Sequence, residues 1–359
     1  MDLPLPVLCG QLLVAGFASD HLPSELSRAL RAGCRGGVIC FKRNLPSLAS
    51  ARNLSASVVE SCRLDLPPFI SVDQEGGRVG RLPQPFLKLP PMRSLGALGD
   101  ASLVEEVGRV LGAELAALGF NLDFAPVLDV DSNPDNPVIG DRAFSGDPAE
   151  VARFGGALVR GLQASGVMAC GKHFPGHGDT DTDSHLDLPR VEHDEARLRR
   201  IELPPFAAAA RDGIATLMTA HVIYPTLDPD RTATLSPRIA TELLRGELGF
   251  RGVLFSDDLE MRALADRMSV EESAVEAIRA GCDALLVCSD FSLQERAHAA
   301  LVREAERDSA FRDRCREAVE RGLAARRFRP PRPGSEAELA SVVGGERARA
   351  LEAKISVLC

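Results

Sequence analysis

The chain contains no tryptophan and only one tyrosine among its 359 residues, although it has 15 phenylalanines. Proteins that bind long polysaccharides usually stack sugar rings on exposed Trp or Tyr faces, because these rings combine a large apolar face with a polar edge. That means of binding is nearly absent here. If the protein binds a sugar, we expect a small pocket with polar contacts rather than a long cleft.

Features that define several other protein classes are also missing. The longest apolar runs are too short to span a membrane, and the N-terminus has no basic region of a secretory signal. A net charge of −9 argues against a nucleic-acid partner. The nine cysteines are irregularly spaced and form no C-x-x-C pair, which predicts buried thiols in a reducing cytoplasm rather than a disulfide framework.

Eight short apolar runs, each bounded by turn residues, recur along the chain. Such runs are typical of strands that are covered on both faces. They lie at residues 11–17, 36–41, 67–73, 120–130, 167–174, 215–221, 252–258 and 283–289. Helical patterns separate them, and several begin with Ser or Asp and end with Gly, as capped helices do. The clearest patterns are at 21–33, 47–62, 100–119, 147–166, 295–308 and 314–327.

This alternation predicts an α/β fold, a single-domain (β/α)8 TIM-type barrel formed by residues 1–325. An open doubly wound sheet is the alternative, but no G-x-G-x-x-G or Walker motif favours it. Residues 326–359 are predicted to form a Pro/Arg-rich linker and a short C-terminal helical tail. Two long polar connections, 131–147 and 175–193, follow strands and should lie at the C-terminal rim, where barrel enzymes hold their active sites.

Polar side chains stand at the ends of at least four predicted strands. They are Asp73, Lys172, His173, His221, Ser256, Asp257 and Asp258. Any one of them has a ready structural explanation, since a capping aspartate is common where a strand leads into a helix. Their convergence on one rim is harder to explain in that way. We therefore predict an active site at this rim.

The stretch KHFPGHGDTDTDSH at 172–185 holds three histidines and three aspartates, and its chemistry has more than one interpretation. Histidine and carboxylate groups are good zinc or manganese ligands, although metal sites in barrels more often draw single ligands from several strands. A second interpretation is glycoside hydrolysis, with a nucleophilic Asp at a strand end and a proton donor across the scissile bond. The third is a polar lid without chemistry.

Five longer motifs narrow these alternatives. They are VDQEGGRVGRL (72–82), GDRAFSGDP (140–148), GKHFPGHGDTDTDSHLDLP (171–189), MTAHVIYP (218–225) and FSDDLEM (255–261). Together they resemble glycoside hydrolase family 3, and within it the bacterial β-N-acetylhexosaminidases of peptidoglycan recycling. The resemblance extends from about residue 10 to about residue 325.

The resemblance implies specific catalytic roles. Asp257 would be the nucleophile that forms a covalent glycosyl-enzyme, and Asp258 is the rival position, since strand alternation cannot choose between neighbours. His185 would be the acid/base, held by Asp183 two residues earlier. The choice is chemically reasonable, because an unperturbed histidine titrates near ~6.5 and can both give and take a proton near neutrality. The reaction would be a retaining double displacement.

The resemblance also implies how the substrate is bound. The predicted sugar-binding residues are Asp73, Arg81, Arg142, Lys172 and His173. We interpret Glu75 and Arg78 as structural, and His177, Asp179 and His221 as residues that hold the loop and the rim in shape. No metal or organic cofactor is implied. The expected substrate is GlcNAc linked β-1,4 to anhydro-N-acetylmuramic acid, with or without its stem peptide.

Other functions remain possible on this reasoning. The motifs also fit a broader family 3 β-glycosidase or a glycoside phosphorylase that uses phosphate in place of water. A metal-dependent barrel hydrolase and an inactive sugar-binding protein are the alternatives of other classes. The only partner expected is a small oligosaccharide or muropeptide, with no membrane or nucleic acid involved, and the sequence does not define the oligomeric state.

Overall fold

A computed structural model of the protein describes residues 3–180 and 188–358. Its ten strands in chain order are β1 (Leu13–Ala15), β2 (Gly37–Cys40), β3 (Phe69–Val72), β4 (Leu122–Asp123), β5 (Met168–Phe174), β6 (Thr216–Thr219), β7 (Ile223–Tyr224), β8 (Asp228–Thr232), β9 (Val253–Asp258) and β10 (Ala284–Val287). Eight of them form a closed parallel barrel in the order β1–β6, β9, β10, while β7 and β8 form a separate antiparallel pair. The barrel prediction is confirmed. The doubly wound alternative is wrong, because β1 pairs with both β2 and β10 and leaves no sheet edge.

Helices surround the barrel. They are α1 (Leu5–Gly10), α2 (Ser24–Arg31), α3 (Leu48–Ser61), α4 (Met92–Ala97), α5 (Ala101–Leu118), α6 (Pro148–Ala164), α7 (Glu195–Arg200), α8 (Leu203–Arg211), α9 (Arg262–Ala265), α10 (Val270–Ala280), α11 (Phe291–Arg307), α12 (Ser309–Phe328), α13 (Glu336–Val342) and α14 (Glu346–Leu358), with a π-helical segment at Arg238–Glu247. The capping signals act as predicted. For example, the Asp100 carboxylate accepts hydrogen bonds from the first-turn amides of Ser102 and Leu103 in α5.

Two layers of apolar side chains account for the two-sided burial of the strands. One face of each strand fills the barrel, where Phe255 meets Phe69 and Phe124 edge-to-face at ring-centroid distances of 5.2 and 5.3 Å. The other face packs against the helices in a larger cluster. Burial of this apolar surface is the main stabilising contribution, and it leaves the carboxyl ends of the strands to carry polar groups.

The C-terminal region is attached to the outside of the barrel. Helix α12 continues through the predicted boundary at residues 325 and 326 and ends at Phe328, and α13 and α14 follow. The buried carboxylate of Glu114 on α5 accepts hydrogen bonds from the amides of Leu87 (2.7 Å) and Gly344 (2.8 Å). The C-terminal region therefore contacts α5. That residues 326–359 form a unit distinct from the barrel stays a prediction.

None of the helices at 3–180 and 188–358 is long and apolar enough to cross a membrane.

The eight cysteines in the same ranges are free thiols, six of them buried. Burial raises the pKa of the Cys40, Cys170 and Cys282 thiols to about 12, so they remain protonated near neutrality.

Candidate active site

A small cavity opens at the carboxyl ends of the barrel strands. Its volume of about 250 Å³ lies just below the range of roughly 300–1,000 Å³ that is usual for small-ligand sites. Six of the predicted site residues line it, namely Asp73, Arg81, Arg142, Lys172, His173 and Asp257. The other two, Asp183 and His185, lie outside the described residues. The apolar part of the lining includes Ile39, Phe41, Met218, Met261, Leu286 and Cys288.

Lys172 and Arg142 are held by two carboxylates on the loop after β3. The Nζ of Lys172 lies 2.7 Å from Asp73 Oδ1 and 2.6 Å from Glu75 Oε1. Arg142 donates from Nε and Nη2 to the two oxygens of Glu75, both at 2.8 Å. Burial alone would raise the pKa of Glu75, but Arg142 and Lys172 hold that pKa well below its usual value. Glu75 is therefore an ionised carboxylate under the cavity, in closer contact with the site than its structural interpretation suggested.

His173 is positioned by a buried aspartate, Asp129, that is not among the predicted site residues. Asp129 Oδ2 lies 2.8 Å from His173 Nδ1, and Asp129 Oδ1 accepts hydrogen bonds from the amides of His173 (3.0 Å) and His177 (2.7 Å). Burial opposes ionisation of Asp129, but the two imidazoles outweigh it and the pKa of Asp129 is lowered. The polar residue at position 129, near the end of the apolar run 120–130, was the signal available in the sequence.

The neighbours Asp257 and Asp258 end β9 in different environments. Burial tends to raise the pKa of Asp257, but His221 and His173 outweigh it and the pKa is lowered. Burial raises the pKa of Asp258 to about 7. Asp258 Oδ1 accepts hydrogen bonds from the amides of Glu260 (3.1 Å) and Cys288 (3.3 Å). Asp257 is therefore the more strongly ionised of the two near neutral pH.

His221 links β6 to this pair. Its Nε2 donates to the carbonyl oxygen of Asp258 at 2.9 Å, and its Nδ1 lies 2.7 Å from the hydroxyl of Thr234. Both ring nitrogens are thus engaged by groups at the rim. Through these contacts His221 joins Asp258 to Thr234 at the rim. That His221 serves to hold the rim in shape stays a prediction.

The beginning of the long loop after β5 is tied to the rim. The only tyrosine, Tyr224, is fully buried and its hydroxyl donates to the carbonyl oxygen of Gly176 at 2.6 Å. Asp179 Oδ2 lies 2.5 Å from His193 Nε2 and 2.8 Å from Arg197 Nη2. These contacts fix the chain just before residues 181–187, which lie outside the described ranges.

The described residues also bear on the metal-site interpretation. Within residues 3–180 and 188–358, no three His, Cys, Asp or Glu side chains are grouped so that they could hold a metal ion. The Nδ1 atoms of His173 and His177 are engaged by Asp129 and Thr180. Burial and the neighbouring His173 lower the pKa of His177 to about 4, so His177 is neutral at physiological pH.

Comparison with known proteins places this barrel and cavity in a family. The family model described as "Glycosyl hydrolase family 3 N terminal domain" matches residues 8–323. A β-hexosaminidase of Pseudomonas aeruginosa is 46% identical over 293 residues, which cover 81% of this chain and 86% of the relative. A β-hexosaminidase of Neisseria meningitidis is 41% identical over 294 residues, which cover 80% of each chain.

Solved structures agree with the sequence relatives. A family 3 β-N-acetylglucosaminidase from Paenibacillus sp. superimposes with a TM-score of 0.93 at 40% identity, covering 99% of this chain and 69% of that one. NagZ from Neisseria gonorrhoeae, in complex with N-trifluoroacetyl-D-glucosamine, superimposes with a TM-score of 0.81 at 33% identity, covering 97% of each chain. The chain belongs to glycosyl hydrolase family 3, as the five motifs predicted. Its enzyme class is that of the β-N-acetylhexosaminidases.

Proposed function

We propose that the protein is a retaining exo-β-N-acetylglucosaminidase that removes terminal GlcNAc from GlcNAc-β-1,4-anhydro-N-acetylmuramic acid and its peptide-bearing forms. One observation carries the proposal. An ionised carboxylate, Asp257, faces the same small cavity as the hydrogen-bonding groups of Asp73, Arg142 and Lys172. A nucleophile in the same cavity as a set of hydroxyl-binding groups is what glycoside cleavage through a covalent intermediate requires.

The cavity residues have the chemistry needed to bind a sugar. Asp73 accepts hydrogen bonds from hydroxyl groups, whereas Arg81, Arg142 and Lys172 donate to hydroxyl or acetamido oxygens. Arg81 Nε is buried and has no hydrogen-bond partner within the described ranges. His173, fixed by Asp129, supplies Nε2 at the same wall.

The proposed reaction proceeds in two displacements. Asp257 attacks the anomeric carbon while His185, assisted by Asp183, protonates the departing oxygen of the aglycone. The C–O bond to the aglycone breaks and an ester bond to Asp257 forms. In the second step His185 takes a proton from water, whose oxygen attacks the same carbon and releases GlcNAc and the free carboxylate. Positive charge at the anomeric carbon in each transition state is stabilised by Asp257.

The size of the cavity and one relative support the proposed substrate. A cavity of about 250 Å³ favours a single terminal sugar over an internal stretch of polymer. The N. gonorrhoeae NagZ structure contains an N-acylated glucosamine, which supports an N-acetylated sugar in this chain. The free, mostly buried cysteines agree with a reducing cytoplasm, where muropeptides are recycled.

The first experiment compares hydrolysis of p-nitrophenyl β-N-acetylglucosaminide and p-nitrophenyl β-glucoside in excess EDTA, followed by GlcNAc-anhydro-N-acetylmuramic acid. We expect turnover of the N-acetyl substrate and of the disaccharide, no effect of EDTA, and release of GlcNAc with retained β configuration. Loss of activity in EDTA would instead support a metal-dependent hydrolase. Equal turnover of the β-glucoside would support a broader β-glycosidase.

A further inference from the structure

Among the residues at 3–180 and 188–358, Glu75 is the one carboxylate that forms ion pairs with both Arg142 and Lys172. Its two oxygens accept hydrogen bonds from Arg142 Nη2 and Nε at 2.8 Å each, and Oε1 also lies 2.6 Å from Lys172 Nζ. Its side chain is only 2% exposed. Glu75 therefore uses its carboxylate on two cations that line the cavity, and it links the loop after β3 to the loop after β4 and to the end of β5.

The charges of this cluster cancel. Two anions, Asp73 and Glu75, are paired with two cations, Arg142 and Lys172, and all four side chains are largely buried, with exposures between 2% and 15%. Two buried cations this close to a shared oxygen would repel each other strongly without it, because the interior screens charge poorly. Removal of the Glu75 charge would leave the group with a net charge of +1.

A cavity wall with arginine and lysine side chains is usually an anion site, since guanidinium and ammonium groups bind carboxylate and phosphate well. Here the anions are already supplied by the protein. The bidentate geometry of Glu75 also fixes the plane of the Arg142 guanidinium, which directs its remaining donors. The same carboxylate thus controls both the direction of the donors and the net charge of this cluster.

We infer that Glu75 is a positioning and specificity-determining residue, which aligns Arg142 and Lys172 and makes this wall select uncharged sugars over sugars that carry carboxylate, sulfate or phosphate. The inference rests on the proposed function, because it takes the cavity to be the sugar site. It goes beyond a structural role for Glu75. A purely structural Glu75 would affect folding stability but not the charge preference of the ligand.

The test uses Glu75→Gln, which keeps the shape of the side chain and removes its charge, and Glu75→Asp, which keeps the charge and retracts it. Glu105→Gln is the matched control. Glu105 also accepts from two arginines, Arg109 (2.7 Å) and Arg160 (2.9 Å), but on the outer surface of α5 and away from the cavity. The measurements are kcat and KM for p-nitrophenyl β-N-acetylglucosaminide, and the inhibition constant of sulfate as a competitor.

For Glu75→Gln we expect KM to rise by roughly tenfold or more and sulfate to bind roughly tenfold more tightly than to the wild type, as one unpaired buried charge would give. Glu75→Asp should raise KM without any gain in sulfate affinity, and Glu105→Gln should behave as the wild type. Unchanged sulfate affinity in a folded Glu75→Gln would overturn the specificity role. An unchanged KM in Glu75→Asp would overturn the positioning role.

Two further measurements separate this inference from the proposed function and from failed folding. If the wild type does not hydrolyse the N-acetyl substrate, the proposed function fails. Sulfate binding to the wild type and to Glu75→Gln, measured by calorimetry, still tests whether Glu75 makes the wall reject anions. If Glu75→Gln does not fold, sulfate competition against the wild type decides instead. Tight competitive binding of sulfate to the wild type would contradict a charge-neutral wall.

Discussion

Asp257 and Asp258 are adjacent at the end of β9, yet burial and neighbouring histidines give them opposite pKa shifts. The pKa of Asp257 is lowered, because His221 and His173 outweigh its burial, while burial raises that of Asp258 to about 7. The amide of Asp258 also donates to Asp257 Oδ1 at 2.8 Å. The local environment therefore makes Asp257 the more strongly ionised of the two, a choice that strand alternation alone does not make.

The first prediction concerns this pair. Asp257→Asn should reduce kcat/KM for p-nitrophenyl β-N-acetylglucosaminide by at least about a thousandfold, because the nucleophile is lost. Asp258→Asn should cost less than about tenfold, since the amide oxygen can still accept from the amides of Glu260 and Cys288. Initial rates of nitrophenol release by the wild type and the two variants measure this difference. An inactive Asp258→Asn beside an active Asp257→Asn would reverse the assignment.

The second prediction concerns Asp129. In Asp129→Asn one oxygen can still accept from the amides of His173 and His177, but the new NH2 group would face His173 Nδ1. This favours the His173 tautomer with its proton on Nε2, which lines the cavity. We expect KM to rise by roughly tenfold with the fold retained, checked by steady-state kinetics and circular dichroism. His173→Ala should show a similar loss, and adding Asp129→Asn to it should cost little more.

The third prediction concerns His185, which lies outside the described residues. If His185 protonates the leaving group, His185→Ala should slow cleavage of GlcNAc-anhydro-N-acetylmuramic acid by roughly 10²–10⁴-fold. Cleavage of a nitrophenyl glycoside should suffer less in its first step, because nitrophenolate leaves with little protonation. Single-turnover rates on the two substrates provide the comparison. Equal losses on both would argue against a role as general acid.

The fourth prediction concerns stability and pH. Burial raises the pKa of Glu114 to about 7 from an ordinary value of 4.5. The folded protein thus keeps the Glu114 carboxyl protonated up to a higher pH than the unfolded chain does. The contribution of the protonated Glu114 to folding stability is complete below a pH of about 4.5. It is lost as the pH rises through about 7. The stability of the wild type relative to Glu114→Gln should therefore fall between these pH values, by at most about 3 kcal/mol.

Denaturant unfolding of both proteins at several pH values measures this difference. Glu60→Gln, on the exposed side of α3, is the control for the loss of a surface carboxylate. A stability difference between wild type and Glu114→Gln that stays constant or grows with pH would contradict the raised pKa.

The barrel was predictable because its signals are local. Each apolar run is short, each is followed by a helical pattern, and polar residues such as Asp73 and Asp257 mark the strand ends. The contacts that organise the site are not local. Glu75 meets Arg142 and Lys172, which are 67 and 97 positions away, and Asp129 meets His173 across 44 positions. The parallel pairing of β3, β4 and β5 brings these partners together.

The β7–β8 pair escaped prediction for a different reason. Residues 228–232 read DPDRT, a polar and mostly exposed stretch with none of the apolar alternation of a strand. Its pairing with Ile223 and Tyr224 follows from the position of the rim loop after β6, which places the two segments side by side. Such a strand is defined by its neighbour rather than by its own side chains.

The hydrogen bond from Tyr224 to Gly176 also gives the protein a built-in optical reporter. With no tryptophan in the chain, Tyr224 is the only residue with phenol or indole emission. Its hydroxyl contacts the first residues of the long loop that leads to His185. A ligand that shifts the start of this loop would change the environment of that single phenol. A change in its intrinsic fluorescence on ligand binding would therefore report a change around Tyr224 and Gly176 in the unlabelled protein.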